Sequence, residues 1–229
     1  MRTLGIIGGI APGSTVDYYR LIIAAYREQK QDGSYPSILI NSIDVTRLLQ
    51  LVAANRLEEL TDWLLWEVDR LARAGAEVGL LASNTPHLVF PELSRQSAIP
   101  LLSIVDAASD AAAELGLRTV GLLGTQFTMQ GRFYPEVFAQ RGIAVLAPSA
   151  GDQAYVHEKY MKELIPGEFL PSTRQRFLAI IERLKRSGAE AVLLAGTELP
   201  LRLRDTDCAA PLLDATRIHV SRAVTAMLR

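Results

Sequence analysis

Two short polar turns carry the side chains best suited to chemistry in this chain. Ser83-Asn84-Thr85 follows the run Arg73-Ala-Gly-Ala-Glu-Val-Gly-Leu-Leu-Ala82, and Gly196-Thr197-Glu198 follows Arg186-Ser-Gly-Ala-Glu-Ala-Val-Leu-Leu-Ala195. Hydroxyls, a carboxamide and backbone N–H groups are neutral donors that fit the oxygens of a carboxylate. Thr125 adds a further hydroxyl after the apolar run 119–124. In α/β proteins ligands sit beyond the carboxyl ends of the strands, where turns of this kind fall. Gly8-Gly9, followed by Ser14-Thr15, opens a helix whose amides can meet an anion. The plainer reading of that stretch is a tight strand-to-helix turn. Its glycine spacing is neither a P-loop nor a dinucleotide fingerprint.

The elements that position these turns come in two copies. Besides the matched runs ending at Ala82 and Ala195, Thr3-Leu-Gly-Ile-Ile-Gly-Gly9 echoes Thr119-Val-Gly-Leu-Leu-Gly-Thr125. Both echoes keep their order and nearly their spacing, which points to an internal duplication. The pattern predicts strands at 2–7, 35–41, 78–82, 99–104, 119–123, 143–147 and 191–195. Helices are expected from Ser14 or Thr15, either a possible cap, to 30, then at 57–71, 106–115, 131–140, 151–164, 172–186 and 216–229. The stretch 42–47 reads as a turn and 205–214 as an irregular loop. The last helix is expected to turn Ile218, Val220 or Ser221, Val224 and Met227 inward and to pack on the first half. Alternating strands and helices give an α/β class with parallel sheets.

Composition narrows the function. The chain has 229 residues, 49% hydrophobic and 21% charged, with net charge −1. That balance gives no reason to expect nucleic acid or a membrane surface as partner. Cys208 is the only cysteine, so no intramolecular disulfide or cysteine-based metal cluster can form. Its position in a loop reads as a small, partly buried residue. His87, His157 and His219 lack metal spacing. With the strand pattern starting at once, no signal peptide is expected, and a cytoplasmic protein is the default reading.

On these pieces the sequence resembles the aspartate/glutamate racemases, the amino-acid racemases that need no pyridoxal phosphate. The matching residues are Gly5-Ile-Ile-Gly-Gly9 with Ser14-Thr15, Asn84-Thr85-Pro-His87, Gly121-Leu-Leu-Gly-Thr125 with Phe127-Thr128-Met129, Gly196-Thr197-Glu198 with Pro200, and Asp214-Ala-Thr216 before Ile218-His219. The resemblance implies two pseudo-symmetric Rossmann-like, or flavodoxin-like, lobes with a ligand cleft between them. The lobes are expected at 1–105 plus 210–229, and at 106–209. It also implies an isomerase without cofactor, and a homodimer. Trp63 and Trp66 read as core, with a dimer contact as the other option. In the mechanism so implied, a thiolate takes the Cα proton of an acidic amino acid and a thiol on the opposite face returns one. The substrate-binding set implied is Gly9, Ser14, Arg47, Ser83, Asn84, Thr85, Thr125, Lys162, Thr197 and Glu198, with Arg47 and Lys162 matching the basic residues approximately.

This sequence departs from that family at the reacting groups. The two cysteine positions hold Ala82 and Gly196, and neither can carry a proton. Each positioned acid or base contributes roughly 10²–10⁴-fold in rate. His87, Glu198 and Asp44 read as structural rather than as replacements. An engineered inactivation would pair Ala with Ser, so Ala with Gly points to natural divergence. The readings left are a racemase-type ligand site, a cysteine-independent lyase, decarboxylase or isomerase on a related carboxylate, and a non-catalytic binder.

Overall fold

The computed structural model describes the chain from Met1 to Arg229 except residues 205 and 207–209. Cys208 therefore lies outside the described residues. The first part of the chain runs β1 (Leu4–Gly8), α1 (Pro12–Gln29), β2 (Ile38–Ser42), α2 (Val45–Ala53), α3 (Leu57–Arg73), β3 (Val78–Leu81), α4 (Phe90–Gln96), β4 (Leu101–Leu102) and α5 (Ile104–Glu114). It continues with β5 (Thr119–Gly124), α6 (Gln126–Gln130), α7 (Phe133–Ala139), β6 (Ala144–Leu146), α8 (Ala150–Lys159), α9 (Pro171–Arg186), β7 (Ala191–Ala195), β8 (Leu212–Asp214) and α10 (Ala215–Leu228). Two four-stranded sheets result, ordered β2-β1-β3-β4 and β6-β5-β7-β8. Every pairing is parallel, as the α/β pattern requires.

The chain divides into unit 1, Met1–Ile104 with His219–Arg229, and unit 2, Val105–Ile218. Residues 210–218, expected with the first lobe, go with unit 2. The reason is β8, which pairs with β7 from Val192↔Leu212 to Leu194↔Asp214, where an irregular loop was expected.

The echoed words do the same physical work in each unit. α3 and α9 are followed by Gly75 and Gly188, both at φ +102, a left-handed conformation glycine adopts without strain. Two residues on, a glutamate reaches back to the unit's first strand. Thr3 N–H donates to Glu77 Oε2 at 2.8 Å, while Arg118 and Thr119 N–H donate to Glu190 Oε2 at 2.6 and 2.8 Å. Those donors hold the Glu190 carboxyl below the usual carboxylate range. Gly5 and Gly121 let each helix lie close on its sheet: a Cβ there would come within 3.1 Å of Leu71 and 3.2 Å of Leu184.

Each unit buries its own core. In unit 1, Leu4, Ile6, Val78 and Leu80 pack with Tyr18 and Ile22 of α1 and with Val220, Val224 and Met227 of α10. Val220 rather than Ser221 faces inward, and Ile218 is only partly buried. In unit 2, Leu123, Val192 and Leu194 pack with Val156, Phe177, Ile180 and Ile181. Each such side chain contributes about 1.5–3 kcal/mol when fully buried.

Other local expectations need correcting. α1 starts earlier than either expected cap, with Ala11 at its N-cap and Pro12 in its first turn, where a missing N–H costs little. The stretch 42–47 does not merely turn: Asp44 accepts from Thr46 N–H at 2.8 Å and caps α2. α6 was not foreseen; Thr125 caps it. β4 shrinks to Leu101–Leu102, because Pro100 has no N–H to donate and Ile104 already begins α5.

Two buried histidines hold the segment 102–104. His87 Nε2 accepts from Ile104 N–H at 3.2 Å, and His219 bonds Leu102 O at 3.0 Å and Tyr18 Oη at 2.9 Å. Burial, with the nearby His219, lowers the His87 pKa to about 3, and burial lowers that of His219 to about 4. Folded, both are neutral; unfolded, they take up protons below about pH 6.5. Their contribution to stability is intact above that pH and falls as the pH drops from 6.5 toward the folded values. The loss is about 1.4 kcal/mol per pH unit for each histidine. Urea denaturation between about pH 7 and pH 5 measures this slope. His87→Gln and His219→Gln are each expected to flatten it.

Candidate functional site

Unit 1 brings its polar groups together through strand register. β1 and β3 run side by side with Ile7 opposite Leu81, so Gly8-Gly9 and Ala82-Ser83 leave the sheet next to each other. Ser83, Asn84 and Thr85 are buried there, and Ala82 is fully buried in the unit 1 core. Thr85–Val89 form a 3-10 turn with Pro86 near its start. The anion-facing amide expected at Gly9 is already engaged: Gly9 N–H donates to Thr15 Oγ1 at 2.8 Å. Gly9 itself is at φ +83, with a Cβ there colliding with the Ile43 carbonyl. Ser14 Oγ donates to Ala11 O at 2.8 Å, so this hydroxyl closes the first turn of α1.

The other unit 1 candidates sit on the flanks. Arg47 is exposed on α2, its guanidinium 4.6 Å from the centroid of the Trp63 ring. Trp63 is core, donating from Nε1 to Glu67 Oε1 at 3.0 Å, whereas Trp66 is 54% exposed. Asp44 is occupied as a helix cap. The His87 ring stacks on Phe90 at 4.8 Å, and its Nε2 accepts the bond from Ile104, which puts the proton of the neutral ring on Nδ1. A cavity of about 570 Å³ lined by Leu57, Thr61, Asp62, Val89 and Glu92 touches none of the candidates.

Unit 2 repeats the arrangement with different chemistry. Gly124 lies opposite Ala195, so Thr125 and Gly196 leave adjacent strands. Thr125 Oγ1 accepts from Thr128 N–H at 3.3 Å. Glu198 Oε2 accepts from the Tyr160 hydroxyl and from Thr197 Oγ1, the latter at 2.9 Å, and Glu198 N–H donates to Tyr160 Oη at 3.3 Å. All three residues are buried. Glu198 Oε1 is buried and has no hydrogen-bond partner among the described residues. Burial, reinforced by the Glu198 charge, pushes the Tyr160 phenol well above its ordinary value. Lys162 is not part of this group. Its side chain is 72% exposed and pairs with Glu158 at 3.1 Å.

Two residues of this end of unit 2 were not singled out in the sequence. Tyr160 belongs to no motif; it is buried one helical turn after Val156, continuing the inward face of α8 just before the irregular turn Tyr160–Leu164. Asp214 is among the residues that carry the family resemblance, which implies no role for it. It ends β8 beside β7, accepts from Arg217 N–H at 3.0 Å, and burial raises its pKa.

Comparison with known proteins agrees with this architecture. The family model described as Asp/Glu/Hydantoin racemase matches residues 7–223. The broad specificity amino-acid racemase RacX of Bacillus subtilis is 23% identical, over 98% of each chain. A solved structure from Yersinia pestis, classed provisionally as an Asp/Glu racemase, is 31% identical and superposes with a TM-score of 0.91 over 100% of both chains. An aspartate racemase homologue from Pyrococcus horikoshii OT3 is 32% identical with a TM-score of 0.86, again over 100% of both chains.

The Gly9–Thr15 bond makes a prediction about the unit 1 turn. Thr15→Ala leaves a buried N–H without its acceptor and is expected to cost about 1–3 kcal/mol in chemical denaturation. Thr15→Ser keeps the acceptor and is expected to recover most of that.

Proposed function

The chain belongs to the Asp/Glu/hydantoin racemase family, and from that premise we propose that it binds a small acidic amino acid or dicarboxylate between its two repeated sets of turns, without racemising it by two thiols. The observation that carries this reading is the pair of residues at the reacting positions, Ala82 and Gly196. A methyl group and a hydrogen exchange no proton with Cα, so both general acid–base contributions, each roughly 10²–10⁴-fold, are lost.

What supports the binding half is the donor set. Ser83, Asn84 and Thr85 follow one strand of unit 1, and Thr125 and Thr197 follow two strands of unit 2; with its hydroxyl given to Glu198, Thr197 would offer a ligand its backbone N–H. Arg47 is the proposed charge partner for a carboxylate; a guanidinium lying over Trp63 keeps its edge available for a bidentate pair. Lys162 is the weaker candidate, because it is solvated and held by Glu158. The family resemblance extends the proposal to a homodimer working in the cytoplasm without pyridoxal phosphate. No helix among the described residues is long and apolar enough to cross a membrane. A second reading, a lyase or decarboxylase on a related carboxylate, draws on the same donors, since charge developing on oxygen needs donors more than two opposed bases.

The test uses L-aspartate, L-glutamate and succinate. At about 100 times Kd a ligand is expected to add about 2.7 kcal/mol of stability, read as a rise in Tm. NMR in D₂O is expected to show the Cα proton of either amino acid retained and no new product. Loss of the Cα proton would reveal a base other than a thiol. Release of CO₂ or an unsaturated product would favour the second reading. No stabilisation by any of the three would contradict the acidic ligand class.

A further inference from the structure

Position 196 is glycine for a reason the backbone does not supply. Gly196 is not among the glycines at left-handed φ, so its conformation is open to any L-residue. Space is what excludes a side chain. A Cβ on Gly196 would lie 2.6 Å from Tyr160 Cε2, 2.7 Å from Oη and 3.0 Å from Cζ. Carbon atoms in good contact stand about 3.5–4.0 Å apart.

The far end of a tyrosine moves cheaply only when it has room and no ties. Tyr160 is 4% exposed and packs in the unit 2 core with Val156, Leu164 and Leu199. Its hydroxyl donates to Glu198 Oε2 and accepts from Glu198 N–H. The backbone carrying it is irregular as well. Ile165 N–H donates to Tyr160 O at 3.0 Å, a bond spanning five residues, at the turn Tyr160–Leu164. Turns of this π type are rare and are frequently found at functional sites.

We propose that Tyr160 determines what the unit 2 turn can hold: its phenol fills the volume of a residue-196 side chain, and Glu198 latches it there. The position where the family resemblance calls for a thiol is filled, and a thiol can return only when the ring leaves. The phenol does not inherit the thiol's task, since burial and the Glu198 charge keep it protonated at neutral pH. For its ligand this inference rests on the function proposed above; its steric content stands apart from it.

A double-mutant cycle tests the steric content. Gly196→Ala is expected to lower Tm by about 3–10 °C, as overpacking of a full core does. In a Tyr160→Leu background the same substitution is expected to cost nothing. In a Tyr160→Phe background it is expected to cost nearly as much as with tyrosine, because the colliding ring remains. A Gly196→Ala protein that is insoluble with Tyr160 but soluble with Tyr160→Leu is the same result in stronger form. Equal losses in all three backgrounds, or no loss with Tyr160 in place, would overturn the proposal.

Cα exchange of L-aspartate in D₂O then reads the site. Ala82→Cys/Gly196→Cys is expected to stay inactive. Adding Tyr160→Leu is expected to raise exchange at least about 100-fold, the low end for one positioned acid or base. Measurable exchange that is equally fast with and without Tyr160→Leu would overturn the role of Tyr160. No exchange in the triple variant, with the steric cycle intact, would count against the acidic ligand and leave Tyr160 as assigned.

Discussion

A side chain on residue 196 and the ring of Tyr160 cannot occupy the same few cubic ångströms at the end of β7. The clash involves the ring's outer edge and hydroxyl, and the ring is held by a core on one side and a carboxylate on the other. That exclusion links the rest of unit 2. Tyr160 extends the buried face of α8, Thr197 and Tyr160 both donate to Glu198 Oε2, and Glu198 N–H donates back to the Tyr160 hydroxyl. The bare Cα of Gly196 and the place of the phenol are one structural fact seen from two residues.

The two units show how a duplicated scaffold can hold while its working ends diverge. Sheet order, the helix-ending glycines and the glutamates that reach back to the first strands match in kind and in position. The differences gather where the strands stop. In unit 1, the residue after β3 is an alanine sunk in the core; in unit 2, the residue after β7 is a glycine beneath a ring. Packing constrains the first set of features, since each carries an apolar face or a helix end. The second set is constrained by packing too, but by local neighbours, the unit 1 core around Ala82 and the Tyr160 ring over Gly196, and these differ between the units while the scaffold stays the same.

Much of this was legible in the sequence, for physical reasons. Apolar runs such as 191–195 can be little other than covered parallel strands, and the repeated Arg-x-Gly-Ala-Glu word marks the same helix-to-strand joint in each unit. Shorter elements were harder. α2 has three buried residues and depends on the Asp44 cap, and β8 is three residues long and exists because β7 offers it a ladder. Of the site, the donor turns could be read from hydroxyl and amide residues at strand ends. The solvated surface reading of Lys162 was open to the sequence; the engagement of the Gly9 amide by Thr15 was not, because it depends on which way a helical turn faces. Tyr160 was least legible. The spacing of Asp152, Val156 and Tyr160 puts it on one helical face, but its partners lie 36 and 38 residues further along the chain.

The most direct measurement is a crystal structure of the unaltered protein with L-aspartate or succinate bound. The account predicts carboxylate oxygens on the donors of residues 83–85 and on the Thr197 backbone N–H, with the Tyr160 ring still over Gly196 and its hydroxyl still on Glu198. A ligand bound away from those turns would contradict it. So would a ring swung clear of Gly196, with Glu198 released to meet the ligand.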